Sequence, residues 1–231
     1  MKCVQLEARD LPDAWFQAVY NIFDLGTIYT IDRGSFEGHK RLEYDFVCLY
    51  IKHPVQRPLI PDMPPGAGIP PPTDMEYVNQ YLEKLITDAK SENEIYTYGE
   101  DLSVQIPKIV QMYKEQGHGT NQAYMAVGSA KTLDYDDPPC LRGVDTRIRD
   151  GRLHFVLYFR SWDLWAGLPS NLAALQIVKE DMAEQIGVED GEIIACSKGL
   201  HLYDYTWELA ALRINRELSQ EMKDMAREAD E

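Results

Sequence analysis

Apolar residues recur along this chain in two rhythms, every second position in some stretches and every third or fourth in others. Residues 27–31 (TIYTI) and 44–51 (YDFVCLYI) are rich in β-branched and aromatic side chains, which predicts strands. Leu172, Leu175, Val178, Met182 and Ile186 return at the spacing of one helix face. A helix is therefore predicted from Pro169-Ser170-Asn171 to a stop at Gly187. A second helix is expected over roughly 75–89, capped by Thr73 or Asp74, with Tyr77, Tyr81, Leu82 and Leu85 on one side. A third covers about 103–116 and ends at Gly117, and a charged amphipathic helix is expected over 205–228. AYMAV (123–127), VDTRI (144–148), LHFVLYF (153–159) and GEIIACS (191–197) read as strands. Arg149-Asp150-Gly151-Arg152 joins two of them, and Asp-Gly is a hairpin signal. Strands with helices interspersed irregularly predict an α+β fold, a mixed β-sheet flanked by helices.

Residues 54–73, PVQRPLIPDMPPGAGIPPPT, are dense in proline and so form neither helix nor central strand. Such a stretch suits a domain linker or a long ordered loop. The segment before it is too short for a core of its own, so residues 1–231 are read as a single domain. With 45% hydrophobic and 26% charged residues, the composition is that of a globular protein. The formal charge of −15 argues against a nucleic-acid binder, although a local basic pocket is still able to hold a small phosphorylated substrate. The first twenty residues lack the pattern of a secretory signal, and no run of eighteen apolar residues exists to span a membrane. Cys3, Cys48, Cys140 and Cys196 are scattered without a CxxC pair, so neither a metal site nor a disulfide framework is expected. The expectation is a cytoplasmic protein with reduced thiols, each of them buried filler or a working nucleophile.

Cys140 closes the stretch Asp136-Asp137-Pro138-Pro139-Cys140-Leu141, between a turn and a predicted strand. The paired prolines hold the preceding backbone extended and present the thiol rigidly. Arg160-Ser161-Trp162-Asp163 follows a strand directly. An arginine at a strand end makes a bidentate clamp for phosphate or carboxylate, and near a thiol it lowers the pKa. Taken alone, these residues admit plain structural readings. A lone cysteine is usually packing, a strand-end arginine a surface ion pair, Asn171 a helix cap, and His201 or Tyr203 part of the core.

Four motifs in order weigh against that. Pro138-Pro139-Cys140, Tyr158-Phe159-Arg160-Ser161-Trp162-Asp163, Gly167-Leu168-Pro169-Ser170-Asn171-Leu172-Ala173 and Gly199-Leu200-His201-Leu202-Tyr203 resemble the thymidylate synthase family, including its archaeal-type members. The resemblance implies reductive methylation of dUMP, with Cys140 as nucleophile, Arg160 and Ser161 as phosphate ligands, and Asp163 and Gly167 at the pterin. It implies that Asn171 reads uracil N3–H and O4, and that His201 and Tyr203 hold the sugar hydroxyl. An amide both donates and accepts, which matches one uracil edge and opposes cytosine. Fainter likenesses add Arg33 in Ile31-Asp32-Arg33-Gly34-Ser35 as a second phosphate clamp and Tyr98 in Tyr96-Thr97-Tyr98-Gly99 as the tyrosine that helps remove the C5 proton. Glu83 is the better match to the family's proton-managing glutamate, with Glu76 its rival. The family is a homodimer built sheet face against sheet face, and the same is expected here.

The pattern breaks in four places. Leu141 stands where histidine is common after the nucleophile. Thr120-Asn121-Gln122 occupy the place of paired arginines that reach across the dimer to the phosphate, which shifts that role to other cations such as Arg142 or Arg57. The tryptophan-rich insertion before Tyr96 is missing, and Met225-Ala226-Arg227-Glu228-Ala229-Asp230-Glu231 replaces an apolar C-terminus. The last two concern folate recognition. The one-carbon donor is therefore either 5,10-methylenetetrahydrofolate or a modified pterin such as methylenetetrahydromethanopterin. Two further readings stay open, a pyrimidine nucleotide hydroxymethylase on the same scaffold and a non-catalytic nucleotide-binding homologue.

Overall fold

In chain order the computed structural model, which describes residues 1–63, 66, 68–90 and 94–228, runs β1 (Cys3–Ala8), α1 (Leu11–Leu25), β2 (Thr27–Thr30), β3 (Lys40–Tyr44), β4 (Phe46–Ile51), α2 (Met75–Ile86) and α3 (Gly99–Gln116). It continues with β5 (Tyr124–Ala126), β6 (Leu141–Arg149), β7 (Arg152–Phe159), β8 (Trp162–Asp163), α4 (Gly167–Ile186), β9 (Glu189–Ser197), β10 (Leu200–Tyr203), α5 (Trp207–Arg213) and α6 (Gln220–Glu228). The α+β expectation holds, but the strands form two mixed sheets. A six-stranded sheet has the order β1-β4-β9-β7-β6-β5 and a four-stranded sheet the order β2-β3-β10-β8.

Period-two alternation sorts the large sheet into two faces. Val47, Leu49, Ile51, Phe155, Leu157, Ile193 and Ala195 are buried under the helices. Helix α4 lies at the centre of that layer and contacts α1, α2, α3 and the sheet. Its burial is so complete that Gln176 and Lys179 are inside with Leu172, Leu175 and Met182. Lys179 keeps a partner in Asp190 at 3.4 Å, and desolvation pulls its pKa down to about 8. The opposite face of the sheet carries Cys48, Tyr50, Val156, Tyr158, Ile194 and Cys196, half-buried or exposed, with no further layer of described residues over it.

Several expectations need correction. The proposed C-terminal helix 205–228 is two helices, broken after Arg213 where Asn215 takes φ 54°. Tyr77 does not share the buried side of α2; it is 52% exposed, and Val78 and Leu85 are the buried pair. Asp74, not Thr73, caps that helix by accepting from Tyr77 N at 2.8 Å. Helices α3 and α4 begin four and two residues earlier than expected. The β6–β7 hairpin turns at Asp150 and Gly151 as expected, with φ 50° and 72°. Of the proline-dense stretch, Pro54, Leu59, Pro61 and Pro72 are buried. Residues 64, 65 and 67 of it, and 229–231 of the C-terminus, lie outside the described residues.

Candidate active site

The two sheets meet where β6 begins, β7 and β9 end, and β8 and β10 begin, and chemistry-bearing side chains gather there. Pro138 and Pro139 deliver Cys140 at the start of β6, and Arg160 at the end of β7 donates its backbone N–H to the Cys140 carbonyl at 2.8 Å. The Arg160 guanidinium turns back on the same loop. Its Nε donates to the carbonyls of Pro138 and Pro139, each at 3.2 Å, and its Nη2 to the Asp137 carboxylate at 2.8 Å. Arg160 thus holds the loop that carries the thiol. Its electrostatic effect is smaller than the sequence suggested. Burial pushes the Cys140 thiol up, Arg160 opposes this, and Asp137 adds to it; the net direction is upward.

Cys140 lines a cleft of about 140 Å³ together with Arg33, Arg41, Arg160, Ser161 and Tyr203. Arg33 arrives on the loop between β2 and β3, where Gly34 takes φ 103°. The four-stranded sheet supplies the other wall. Its register sets Tyr203 opposite Arg41, His201 opposite Glu43, and Asp163 beside His201. His201 is buried, and its Nδ1 lies 2.8 Å from the Gly199 carbonyl. A carbonyl only accepts, so Nδ1 carries the hydrogen and Nε2, which has no partner among the described residues, is a bare acceptor. Burial lowers the His201 pKa to about 4, which keeps the ring neutral. Burial likewise raises Tyr203 well above the ordinary phenol value.

A second hollow, of about 390 Å³, opens on the other side of Asp137 and is lined by Tyr77, Tyr81, Lys84, Tyr96 and Tyr98. Tyr98 precedes α3, and Gly99 allows the approach: a Cβ there would lie 1.6 Å from the Thr87 carbonyl oxygen at the end of α2. Tyr81 and Tyr98 pack edge to face with centroids 5.9 Å apart. Burial raises the pKa of Tyr98, with Tyr81, Tyr96 and Cys140 acting in the same direction. Among the described residues the Tyr81 hydroxyl has no well-formed hydrogen bond.

The structure therefore brings Arg33, Cys140, Arg160, Ser161 and Tyr203 into one cleft, with His201 behind Tyr203 and Tyr98 in the adjoining hollow. Asn171 does not line the cleft; its Oδ1 accepts from the Trp162 indole at 2.9 Å. The Asp163 carboxylate accepts the N–H groups of Trp165, Ala166 and Gly167 at 3.1, 3.0 and 2.8 Å, so it caps α4 and ties Gly167 down. Glu83 is exposed on α2 and lines neither cavity, and its rival Glu76 is exposed in the first turn. Arg57 pairs with Glu180 at 2.7 Å, and Arg142 donates to Thr132 at 3.3 Å; neither reaches the cleft. Arg41 has no place in the sequence motifs, and Tyr81 enters there only as part of one helix side. The alternation of Arg41 and Glu43 with Leu42 and Tyr44 marks a strand with one polar face, but residues 40–43 were not read as a strand.

The chain is an α+β protein whose two mixed sheets meet at a cysteine and three arginines, and comparison with known proteins gives this fold a family. The thymidylate synthase family model matches residues 12–228, and the chain belongs to the thymidylate synthase family. It is 28% identical over 209 residues to "Putative thymidylate synthase" of Methanococcoides burtonii, covering 88% of this chain and 91% of that protein. Proteins of the same description from Methanosarcina mazei (28% over 214 residues; 88% and 91% covered) and Methanopyrus kandleri (27% over 207 residues; 86% and 92% covered) are similar over nearly their whole length.

Proposed function

We propose that the chain catalyses reductive methylation of dUMP to dTMP through a covalent bond between Cys140 and C6 of the base. One observation carries this reading: a half-buried thiol stands in a cleft lined also by three arginines, Ser35, Ser161 and Tyr203, with Asp136 and Asp137 at its wall. That is the arrangement needed to hold a nucleotide monophosphate by its phosphate and present its base to a nucleophile.

Uracil C5 is a poor nucleophile until sulfur adds to C6 and turns the ring into an enolate. Cys140 performs that addition, and Arg160 keeps its loop in place while Ser161 and Arg33 bind the phosphate. His201 Nε2 accepts a hydrogen bond from the sugar hydroxyl, and Tyr203 joins it. Asn171, which stands outside the cleft with its oxygen taken by the Trp162 indole, must swing inward for its NH₂ to donate to O4 as charge develops there. Tyr98, held protonated by burial, positions the water that takes the C5 proton. A reduced pterin supplies the one-carbon unit and the hydride. The hollow next to the cleft offers tyrosine rings to pack on, polar groups such as Gln80 and Lys84, and the volume to receive the pterin ring. Loss of the C5 proton and departure of Cys140 restore the aromatic base.

The open face of the six-stranded sheet supports a homodimer packed face to face, since Val156 and Tyr158 are each 38% exposed there. The direct test is product identification by mass spectrometry after incubation with dUMP and each methylene-pterin in turn. The expected product is dTMP, lost by several orders of magnitude in Cys140→Ser with the fold retained. Formation of hydroxymethyl-dUMP, or full turnover by Cys140→Ser, contradicts the reading.

A further inference from the structure

We infer that Arg41 is a phosphate ligand of the cleft, supplied from within the same subunit. This rests on the reading that the cleft takes a nucleotide monophosphate. A phosphate dianion in a partly buried site needs more than one cation, preferably guanidinium forks with free N–H groups. The three cleft arginines are not equally free to serve. Arg160 commits Nε and Nη2 to the loop before Cys140. Arg33 has no ion pair among the described residues and lines the cleft from its loop. Arg41 also lines the cleft, and sheet register fixes it there, because it stands directly opposite Tyr203 on β10. Side chains opposite one another in an antiparallel pair share a face. Arg41, Glu43, His201 and Tyr203 therefore present one polar row.

Glu43 engages Arg41 along the Nε edge at 2.6 Å, which steadies the side chain and leaves the Nη groups for a ligand. Of the two acids that line the cleft, Asp137 is matched by Arg160, while Asp136 has no ion pair among the described residues; Glu43, beside the cleft, is matched by Arg41. Arg33 likewise has no carboxylate paired to it, so an incoming dianion meets an unengaged guanidinium there. The two other cations the sequence offered are occupied elsewhere, Arg57 by Glu180 and Arg142 by Thr132. Arg41 is the remaining guanidinium that reaches the cleft.

The test compares ligands with and without phosphate on the full-length protein. Binding of dUMP, deoxyuridine and inorganic phosphate is measured by calorimetry, or for phosphate by ³¹P NMR titration, for wild type, Arg41→Ala, Arg41→Lys and Arg57→Ala. The expected result is about a 10- to 100-fold loss of dUMP affinity in Arg41→Ala. A parallel loss for inorganic phosphate, no change for deoxyuridine, partial rescue by Arg41→Lys and no effect of Arg57→Ala complete the expectation. Circular dichroism and a thermal melt establish that the variants fold. Unchanged dUMP and phosphate affinity in Arg41→Ala, or an equal loss for deoxyuridine, overturns the assignment and leaves Arg41 as Glu43's structural partner. A wild type that makes no dTMP but loses phosphate affinity on Arg41→Ala refutes the proposed function and upholds this inference.

Discussion

His201 illustrates how one hydrogen bond decides what a side chain offers. The Gly199 carbonyl claims the hydrogen of Nδ1, burial keeps the ring neutral, and Nε2 is left as an acceptor facing no donor among the described residues. The same burial has a consequence for stability. With a native pKa of about 4 against an ordinary 6.5, the native state refuses a proton that the unfolded chain accepts. Stability is therefore intact above pH 6.5 and falls as pH drops from 6.5 to 4, by up to about 3 kcal/mol from this residue. Denaturant unfolding of wild type and His201→Gln at pH 7 and pH 4.5 measures it. The wild type is expected to lose more stability on acidification than the variant, and equal losses would refute the assignment of this ring as buried and neutral. At this scale much of the site was legible, because Cys140, Arg160, Ser161 and Tyr203 lie in short motifs whose order survives in the sequence. Arg41 was not, since nothing in Lys40-Arg41-Leu42-Glu43 announces a cleft until β10 pairs with β3. Glu83 stands outside both cavities for the converse reason. A glutamate on a helix has a known spacing, but its direction is set by which face packs, and α2 packs through Val78 and Leu85.

Helix α4 was the most legible element, with its apolar period and its left-handed stop at Gly187, φ 87°. Its start was read two residues late because the cap is neither Ser170 nor Asn171 but Asp163, four residues before Gly167 and across a tight turn. A carboxylate that accepts three backbone N–H groups at a helix start is worth more than an ordinary cap. Asp163→Ala is expected to lower stability by about 1–3 kcal/mol in urea unfolding. An unchanged midpoint would leave Asp163 with a role at the pterin alone. The strands β3, β8 and β10 escaped notice because they are short and gain their order from one another. Helix α1 escaped because its opening mixes Pro12 and Asp13 with apolar residues, although Asp10 caps it by accepting from Asp13 N at 3.0 Å. The C-terminal break is a single left-handed asparagine inside a sequence with helical period, which periodicity cannot detect.

Over the whole molecule, the helices cover one face of the large sheet and leave Cys48, Tyr50, Val156, Tyr158 and Ile194 on the other. The face also carries His154 and Glu192, and exposed apolar residues grouped within a polar surround suit a protein interface. The reading of a face-to-face homodimer predicts a particle of twice the 26.5 kDa chain mass by sedimentation, and dissociation when Val156 and Tyr158 are both changed to Lys. A wild type that sediments as a monomer at micromolar concentration contradicts it. The cleft lies where the two sheets meet, so its walls come from residues as far apart as Arg33 and Tyr203. Sequence motifs gave the floor of that cleft, while the wall from β3 and the tyrosine hollow required the fold.

The most direct measurement is intact-protein mass spectrometry after incubation with 5-fluoro-dUMP and a methylene-pterin, followed by peptide mapping. Fluorine at C5 blocks the proton loss on which release depends, so the account predicts a stable ternary adduct that adds the mass of both ligands and maps to Cys140. Absence of any adduct with either pterin, or a bond to another residue, would contradict the claim that this thiol attacks the pyrimidine.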